Sequence, residues 1–314
     1  MHLKHATLTF LVDQQEEPTV LLGMKKRGFG EGKWNGYGGK ILYNETEIEA
    51  AVRETKEENG LELQPTDLQK MGELTFLMPH HPMGTQLVHV YTVKKWRGEP
   101  QESDEMIPHW FSVKELPFEK MWPDDKHWLQ HVLEGKPVTA TFLFGPDNQT
   151  LKAMEIHYPK TIEELQKPSV YFSVSISGGR EHAHYYKPLV EAIRKYGRVL
   201  TEHFADENLL TEREEGKTDE FLYWRDHAYI EACDWFVADV SQPSFGVGYE
   251  IALAEQLHKK IICLHYKNSP KSVSPMISGN YRTTVIEYEN EKDATQKLES
   301  VLKKWELENQ HQKN

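Results

Sequence analysis

The sequence predicts two domains of different fold class: an α+β domain with a mixed sheet, followed by an α/β domain with a doubly wound parallel sheet. The chain has 314 residues, more than the roughly 250–300 at which single cores stop growing. Up to about residue 157 short strand-like runs dominate, whereas beyond residue 168 strands and helices alternate. We therefore predict one domain over 1–158, a polar linker over 159–168 and a second domain over 169–314.

In the first domain, apolar and polar residues partly alternate in several short runs, which is typical of half-buried strands. One clear helix lies among them, and it is predicted to begin at Asn44 or Thr46 as a capping residue and to end at Gly60. The predicted strands cover 6–12, 19–24, 72–77, 87–93, 107–112 and 139–144, and the predicted helices cover 46–59 and 124–133.

In the second domain, each predicted strand is followed by a helix, which favours a parallel sheet covered on both faces. The predicted strands cover 170–175, 198–201, 235–240 and 261–266, and the predicted helices cover 185–196, 221–231, 249–257 and 294–305. Ligands of such sheets bind at the carboxyl ends of the strands. We expect the site of the second domain there.

Composition narrows the class of protein. The formal net charge of −12 argues against binding to nucleic acid polymers or anionic membranes, because both need a basic surface. No apolar run is long enough to span a bilayer, and the first residues lack the apolar core of a signal peptide. We expect an intracellular protein, cytoplasmic with the nucleus as an alternative, in which Cys233 and Cys263 are buried apolar residues rather than a disulfide or metal site.

The segment from Gly39 to Leu61 is the most informative about chemistry. Helical neighbours lie three and four positions apart, so the carboxylates of Glu54, Glu57 and Glu58 converge on one helix face. Such carboxylates repel one another unless a cation lies among them, and Mg²⁺ takes oxygen ligands that it shares with substrate phosphates. The pattern predicts a magnesium and pyrophosphate site, although an arbitrary run of glutamates is more often a solvated helix face.

The spacing of this segment resembles the Nudix box. Gly39, Glu45, Arg53 and the closing Gly60 stand at the intervals of the pattern G-x5-E-x7-R-E-U-x-E-E-x-G-U, in which U is a bulky aliphatic residue. One residue departs from it: Thr55 occupies an aliphatic position that is expected to pack inward. No predicted ligand is lost by that departure.

Stretches that flank this segment make the resemblance more specific. They resemble the oxidised-purine nucleoside triphosphatases related to MutT, and this resemblance covers essentially the whole first domain. These stretches are 25–30, 32–40, 102–106 and 121–125. The resemblance implies Mg²⁺-dependent hydrolysis of 8-oxo-dGTP and 2-hydroxy-dATP to monophosphate and pyrophosphate, with Mn²⁺ as a substitute ion. It implies that the metal ligands are Glu54, Glu57 and Glu58, assisted by the Gly38 carbonyl and Glu105, with Glu58 or a metal-held water partner generating the nucleophile.

The same resemblance implies a base pocket. Its members would be Asn35, Asp124 and Asp125 at the base edge, Phe29 and Trp122 around the ring, and Lys25 on the sugar-phosphate side. Asn supplies a donor and an acceptor, and a close Asp pair can share a proton, so one pocket can bind differing base edges. Two points stay open: acidic residues also favour helix starts, and the segment 78–87, which includes Gln86, departs from the family where part of the pocket lid is expected.

The second domain carries candidate groups after two of its predicted strands. A glycine turn over 175–180 precedes a helix, an arrangement that presents backbone donors to a phosphate. Glu250 follows a glycine-containing loop after the strand 235–240, and with Asp226 it supplies the two carboxylates that glycosidic cleavage commonly needs. Alternatively, Glu250 is an acidic residue at a helix start and Asp226 is a surface residue.

Four stretches, 171–181, 197–203, 241–250 and 274–279, resemble the 2′-deoxynucleoside 5′-monophosphate N-glycosidases of the nucleoside 2-deoxyribosyltransferase superfamily. The resemblance covers nearly all of the second half and implies no cofactor there. It implies that Glu250 is the nucleophile that forms a deoxyribosyl-enzyme and that Asp226 is the acid/base. Phosphate, sugar and base contacts would come from Ser175, Gly178, Gly179, Arg180, His203, Ser244 and Gly246.

The same family forms dimers in which each protomer lends a serine to the phosphate site of the other, and Ser274 is the matching residue. We therefore expect a homodimer through the second domain. One residue departs from the pattern: Ser177 stands where these N-glycosidases have arginine. The departure leaves phosphate affinity or the choice of base open.

Together these predictions favour a bifunctional enzyme acting on modified deoxynucleotides. The first domain would convert a modified purine triphosphate to its monophosphate, and the second would cleave that monophosphate to free base and 2-deoxyribose 5-phosphate. Two alternatives remain: a Nudix hydrolase of other nucleotides fused to a deoxyribosyltransferase, or a second domain that acts only as a nucleotide sensor or dimerisation module. The matched carboxylates in both sites argue against a domain without catalysis.

Overall fold

The chain folds into two units that meet in sequence between Leu165 and Gln166. A computed structural model describes residues 3–175, 183–202 and 216–312. The segment predicted as a linker contains a short helix, Ile162–Gln166. Leu165 on this helix is buried.

The first unit is built on an eight-stranded mixed sheet. Its strand order is β3-β2-β1-β5-β4-β7-β8, with β6 paired to β2, and β1–β5 and β4–β7 are the parallel pairs. The elements are β1 Lys4–Asp13, β2 Thr19–Lys25, β3 Trp34–Asn35, α1 Glu47–Asn59, β4 Leu68–Leu77, β5 Gln86–Val93, β6 Met106–Ser112, α2 Asp125–Leu133, β7 Val138–Phe144, β8 Leu151–His157 and α3 Ile162–Gln166. The α+β prediction is confirmed.

Helix α1 begins and ends at residues that satisfy its free backbone groups. Thr46 is the N-cap, and it forms a capping box with Glu49 in which each side chain accepts from the backbone N–H of the other residue. Gly60 ends the helix in the left-handed conformation, at φ 78°. Of the two capping residues considered from the sequence, Thr46 is the correct one.

The two main helices of this unit pack on opposite faces of the sheet. Leu8 and Phe10 of β1 belong to the core that Trp128 of α2 enters, whereas His89 of β5 lies beside Glu47 of α1. Strand β8 was not predicted from the sequence. Its half-buried residues alternate with exposed, partly charged ones, as expected at a sheet edge, so it lacks a continuous apolar run.

The second unit is a five-stranded sheet in which every described pair is parallel, in the order β10-β9-β11-β12-β13. Its elements are β9 Ser169–Ser173, α4 Tyr186–Arg194, β10 Arg198–Val199, α5 Asp219–Ala232, β11 Trp235–Asp239, α6 Phe245–Gln256, β12 Lys260–Tyr266, α7 Pro275–Ser278, β13 Thr283–Tyr288 and α8 Glu291–Gln312. Separate apolar clusters cover the two faces. The predicted doubly wound sheet is therefore confirmed.

One prediction near the second site was wrong in its boundary. Helix α6 begins at Phe245, four residues before the predicted start, with Ser244 as its N-cap. Gly246 and Gly248 therefore lie in the first turns of the helix and not in a loop. Burial of Val247 explains the earlier start, because it anchors the first turn to the core.

Cys233 and Cys263 are both free and buried, as predicted. Among the described residues, no helix combines the length and the apolar character that crossing a bilayer requires.

Two candidate active sites

Glu58 is the most buried of the helix carboxylates. Its side chain is only 6% exposed, and its Oε2 accepts a hydrogen bond of 2.8 Å from the backbone N–H of Gly38. The Lys25 ammonium lies 3.9 Å from its Oε1. Burial raises the pKa of Glu58 to about 7, because desolvation outweighs the Gly38 hydrogen bond and the charge of Lys25. A carboxyl group with this pKa is suited to accept a proton at neutral pH.

Arg53 holds the other side of the cluster together. Its guanidinium donates to Glu45 at 2.7 Å and to Glu54 at 2.8 Å, and it also reaches the carbonyl of Lys40 at 3.1 Å. The Glu54 carboxylate lies directly against Gly39, where any added Cβ would approach it to 2.5 Å. Glycine at this position therefore leaves the space that the Glu54 carboxylate occupies.

The predicted metal ligands do not all lie equally close to Glu58. Glu54 and Glu105 both act electrostatically on Glu58, and Lys25 is 3.6 Å from Glu105. Glu57 lies further out, with a side chain 59% exposed and a contact of 3.3 Å to Arg53. Over the described residues, no three His, Cys, Asp or Glu side chains are close enough together to hold a metal ion as they stand.

The donor set nonetheless fits a hard cation. Glu54, Glu58 and Glu105 supply carboxylate oxygens only, which is the chemistry that Mg²⁺ prefers. The buried Glu58 carboxylate also lacks a full counter-charge, because the one ammonium near it within the described residues, that of Lys25, lies 3.9 Å away and is shared with Glu105. A divalent ion would supply that charge.

A cavity of about 520 Å³ opens beside these carboxylates. All of the residues predicted for the base pocket lie on its wall, together with two of the predicted metal-binding residues. These wall residues are Lys25, Phe29, Asn35, Gly38, Glu105, Trp122, Asp124 and Asp125. The structure therefore brings the residues of the predicted base pocket together.

Two buried aspartates form the polar end of this cavity. Asp124 Oδ2 accepts from the indole N–H of Trp128 at 3.0 Å, and Asp125 Oδ2 accepts from the backbone N–H of Trp122 at 2.9 Å. Burial raises the pKa of Asp124 to about 6, and burial together with the Asp124 charge raises that of Asp125 well above its usual value. Near pH 7 the pair therefore holds a proton and presents both a donor and an acceptor.

Within the described chain, Asp124 Oδ1 is buried without a hydrogen-bond partner. Asn35 Oδ1 accepts from the backbone N–H of Gly36 at 2.9 Å, which fixes the amide orientation and leaves the amide nitrogen as the donor for a ligand. An acceptor from Asp124 and donors from Asn35 and Asp125 thus line one wall. This set matches a heterocycle edge that carries both donors and acceptors.

Aromatic rings form the sides of the cavity. Phe29 stacks on Trp122 at a centroid distance of 4.8 Å, and the Lys33 ammonium lies 5.0 Å from the centre of the Trp122 ring. Phe144 meets Trp122 edge-on at 6.3 Å. Flat apolar walls of this kind bind a heteroaromatic ring.

Gln86 is a polar residue on an otherwise apolar part of the cavity wall. It is buried, and Met78 and Met83 from the same departing segment also line the cavity. Its strand neighbour Phe76 pairs with it in register. None of the hydrogen bonds within the described residues involves the Gln86 amide, which is therefore available to a ligand.

In the second unit, Glu250 is held by two hydroxyl donors from β9. Ser173 donates to Oε2 at 2.5 Å and Tyr171 to Oε1 at 3.1 Å. Ser173 is the last residue of the strand, at the carboxyl end where a ligand of this fold is expected, and Tyr171 lies two residues before it on the same face. Burial raises the pKa of Glu250 to about 7, with the Ser173 hydrogen bond acting against it.

Asp226 lies within electrostatic reach of Glu250, whose pKa it raises. The neighbouring Arg225 is fully buried and donates to Asp226 Oδ1 from Nε at 2.9 Å and from Nη2 at 2.8 Å. The structure therefore brings the two predicted carboxylates together and adds a guanidinium that neither the motif nor its spacing indicated.

The structure describes some of the other residues predicted for this site and not others. Ser175 is buried, and its hydroxyl has no hydrogen-bond partner within the described chain. Ser244 and Ser274 are the N-caps of α6 and α7, and Gly246 is exposed in the first turn of α6. Ser177, Gly178, Gly179, Arg180 and His203 lie outside the described residues.

Sequence reasoning missed Tyr171, Ser173 and Arg225 as residues that orient the carboxylates. A pattern that could have identified the first two was present. Residues two apart on a strand share a face, so Tyr171 and Ser173 were bound to point the same way as Ser175 at the strand end. Arg225 could not be predicted from the sequence, because only the fold shows that its charge is buried.

Comparison with known proteins finds a relationship for each unit. The NUDIX domain model matches residues 2–132, and the nucleoside 2-deoxyribosyltransferase model matches residues 170–310. The first part of the chain is 46% identical to an oxidized purine nucleoside triphosphate hydrolase of Danio rerio, over 40% of this chain and 78% of that protein. It is 41% identical to the hydrolase of the same name from Mus musculus, over 46% of this chain and 89% of that protein.

The second part is 47% identical to a 5-hydroxymethyl-dUMP N-hydrolase of Mus musculus, over 37% of this chain and 68% of that protein. Both units are therefore related to hydrolases. The chain belongs to the Nudix family through its first unit and to the nucleoside 2-deoxyribosyltransferase family through its second.

Proposed function

We propose that this protein removes modified deoxynucleotides in two consecutive hydrolytic steps. The first site would convert a modified purine deoxynucleoside triphosphate to monophosphate and pyrophosphate. The second would cleave the N-glycosidic bond of that monophosphate and release the base and 2-deoxyribose 5-phosphate. The observation that carries the proposal is that one chain holds both carboxylate sites, and the first reaction makes the class of molecule that the second consumes.

In the first step, the ring would enter between the aromatic walls and its edge would meet Asn35, Asp124 and Asp125. Glu54 and Glu58, with Glu57, Glu105 and the Gly38 carbonyl, would hold a divalent ion, Mg²⁺ or Mn²⁺. When bound, such an ion neutralises phosphate charge and acidifies water. Support for this assignment comes from the all-oxygen donor set and from the membership of the Nudix family, whose hydrolases generally use divalent ions.

Glu58 would act as the base of this step. Its pKa of about 7 allows it to take a proton from the attacking water. The water oxygen bonds to phosphorus as the bond to the pyrophosphate leaving group breaks. Lys25, which lies near both Glu58 and Glu105, would contact the phosphates, and its positive charge would stabilise their negative charge.

In the second step, Glu250 would attack C1′ of the deoxyribose while the base leaves with the bonding electrons and takes a proton from Asp226. Water would then add to C1′ and return a proton to Asp226, which frees Glu250. Ser173 and Tyr171 would hold the Glu250 carboxylate in one orientation for both stages. Phosphate binding would fall to Ser175 and Ser244, with Gly178, Gly179 and Arg180, and His203 would lie near the base.

The proposal is tested by incubating the purified protein and Mg²⁺ with a panel of normal and modified deoxynucleoside triphosphates. We expect pyrophosphate to appear first and free base after it, and only for modified substrates at an appreciable rate. Monophosphate that accumulates without release of base from any substrate would contradict the two-step proposal.

A transferase is the second candidate, because the model that matches the second unit is that of a nucleoside 2-deoxyribosyltransferase. Transfer would need an acceptor base to take the deoxyribosyl group from Glu250. Turnover of the monophosphate with and without added base separates the two reactions. We expect the same rate in both, and dependence on added base would favour the transferase.

We also propose that the second unit forms a homodimer and that the protein acts inside the cell, where deoxynucleoside triphosphates are made. Ser274 is exposed at the start of α7, as a residue lent to a partner would be. Phe245 and Met276 are apolar side chains that are almost wholly exposed, which is typical of a surface that a second copy covers. Sedimentation analysis should give twice the mass of the chain, and a Phe245→Asp, Met276→Asp variant should sediment as a monomer.

A further inference from the structure

Helix α1 carries a third carboxylate on the face that bears Glu54 and Glu58. Glu47 precedes these residues by seven and eleven positions, which is close to two and three helical turns. The three side chains therefore project along one line. The sequence motif gives no role to Glu47, which lies in the first turn of the helix.

Glu47 reaches the sheet through one oxygen atom. Its Oε2 accepts from the hydroxyl of Tyr91 at 2.7 Å and from the ammonium of Lys70 at 2.9 Å, and the His89 Nδ1 atom lies 3.3 Å away. Strands β4 and β5 thus both hold the amino end of the helix.

The same groups contact one another across the two strands. Lys70 also pairs with Glu73 at 2.9 Å, and His89 is 3.8 Å from Glu73. Three positions separate Lys70 from Glu73, so a regular strand would point them to opposite faces. A bulge between Lys70 and Gly72 shifts the register and turns both side chains toward α1. We call Glu47, Lys70, Glu73, His89 and Tyr91 the Glu47 network.

The network is largely buried and charged. The side chains of Lys70 and Glu73 are each 17% exposed and that of His89 is 4% exposed, whereas that of Glu47, at the edge of the network, is 37% exposed. Burial lowers the pKa of His89 to about 4, so this ring is neutral at pH 7. Burial opposes the charge of Lys70, but the carboxylates of Glu73 and Glu47 raise its pKa, and burial likewise opposes the charge of Glu47, whose pKa the Lys70 ammonium lowers. Desolvation offsets most of the free energy that such a buried ion cluster gains.

Apolar contacts give α1 little positional information. Its buried residues are Ala50, Ala51, Thr55, Glu58 and Asn59, and the half-buried Val52 packs against the apolar cluster that contains Leu11 and Tyr37. None of the buried residues has a large apolar side chain, and Val52 adds one branched contact, so apolar packing limits only weakly how far the helix slides or turns on the sheet. The hydrogen bonds and ion pairs of Glu47, in contrast, are directional.

We propose that the Glu47 network positions the metal-binding carboxylates of α1 by fixing the amino end of that helix to β4 and β5. Its main effect is on the placement of Glu54 and Glu58 and not on the stability of the fold. This inference rests on the proposed divalent-ion site of the first unit.

The test replaces the charges of the network by apolar side chains of similar size, in the triple variant Glu47→Leu, Lys70→Met, Glu73→Leu of the full chain. Binding of Mn²⁺ alone, without nucleotide, is measured by electron paramagnetic resonance. We expect the Mn²⁺ dissociation constant to rise at least about tenfold. The unfolding temperature should stay the same or rise, because apolar replacement of a buried ion cluster is often neutral or stabilising.

Two controls separate positioning from general damage. Lys56→Met removes an exposed ion pair to Glu62 at the other end of α1 and should leave Mn²⁺ binding unchanged. Base release from an added monophosphate, which uses the second unit, should be the same in the triple variant as in the wild type.

Mn²⁺ binding by the triple variant within twofold of the wild type would overturn the inference. If the triple variant does not fold, Tyr91→Phe decides the matter, because it removes only the hydroxyl that donates to Glu47: about a threefold loss of affinity supports positioning, and no loss overturns it. A wild-type protein that neither binds Mn²⁺ nor hydrolyses any triphosphate would instead refute the proposed function itself.

Discussion

The hydroxyl of Ser173 donates a 2.5 Å hydrogen bond to the carboxylate of Glu250. Burial raises the pKa of Glu250 to about 7, and this hydrogen bond opposes the rise. A nucleophilic carboxylate must be ionised, so base release should be slow below pH 7 and should rise as the pH passes through the pKa of Glu250. The rate rises with pH because the ionised form of Glu250 is the one that attacks C1′.

Ser173→Ala should move this pH profile. Loss of the donor leaves the ionised carboxylate less stabilised, so the midpoint should shift to higher pH and the rate at pH 7 should fall about 3- to 10-fold. Tyr171→Phe, which removes the other donor, should shift the midpoint in the same direction. Initial rates of base release between pH 5 and 9 measure both, and a shift to lower pH would contradict the role assigned to Ser173.

Gly39→Ala should separate metal binding from stability. The new Cβ would lie 2.5 Å from the Glu54 carboxylate, so this flexible side chain has to move away. Because φ of Gly39 is not in the left-handed region, alanine is tolerated there and the unfolding temperature should not fall. The Mg²⁺ concentration for half-maximal pyrophosphate release should rise about tenfold, and an unchanged Mg²⁺ dependence would argue against Glu54 as a ligand.

The paired aspartates of the cavity should differ in what they tolerate. Asp125→Asn keeps a donor in place of the protonated carboxyl group and should retain most of the activity. Asp124→Asn offers a donor where the unpartnered Oδ1 accepts, and kcat/KM should fall about 10- to 150-fold, the range for a hydrogen bond to a charged group. Equal losses in the two variants, measured on the same triphosphate, would contradict this division of roles.

Gln86 should contribute to the choice between modified and unmodified bases. Gln86→Met keeps the volume and removes the unpaired amide, so kcat/KM should fall about 3- to 10-fold for a base with a hydrogen-bonding substituent. The unmodified counterpart should be affected less, and the unfolding temperature should not fall, because no protein hydrogen bond is lost. Steady-state kinetics on 8-oxo-dGTP and dGTP measures the ratio, and an equal change for both would show that Gln86 does not contact the base.

The features that local sequence determines were predictable. Thr46, Glu49 and Gly60 set the ends of α1 through caps of fixed spacing. Thr55, which departs from the motif, still packs inward, because its hydroxyl donates to the carbonyl of Ala51 one turn earlier.

The features that depend on tertiary contacts were not predictable. The Glu47 network requires the bulge between Lys70 and Gly72, which no alternation pattern reveals. The glycine-containing stretch before Glu250 is typical of a loop, yet helix α6 begins within it, at Phe245. This start depends on the burial of Val247, which the sequence pattern does not show. The buried charge of Arg225 likewise becomes visible only in the fold.

The central claim is that two independent sites on one chain act in sequence, and two variants test it together. Glu58→Gln removes the base of the first step, and Glu250→Gln removes the nucleophile of the second. Each leaves the other site untouched. The measurement is a time course of pyrophosphate, monophosphate and free base from one modified purine triphosphate.

For the wild type we expect pyrophosphate at once and free base after a lag. Glu250→Gln should release pyrophosphate at the wild-type rate and accumulate monophosphate without free base. Glu58→Gln should release neither product from the triphosphate but should still release base from added monophosphate. Free base released by Glu250→Gln, or a loss of both activities in either variant, would contradict the account.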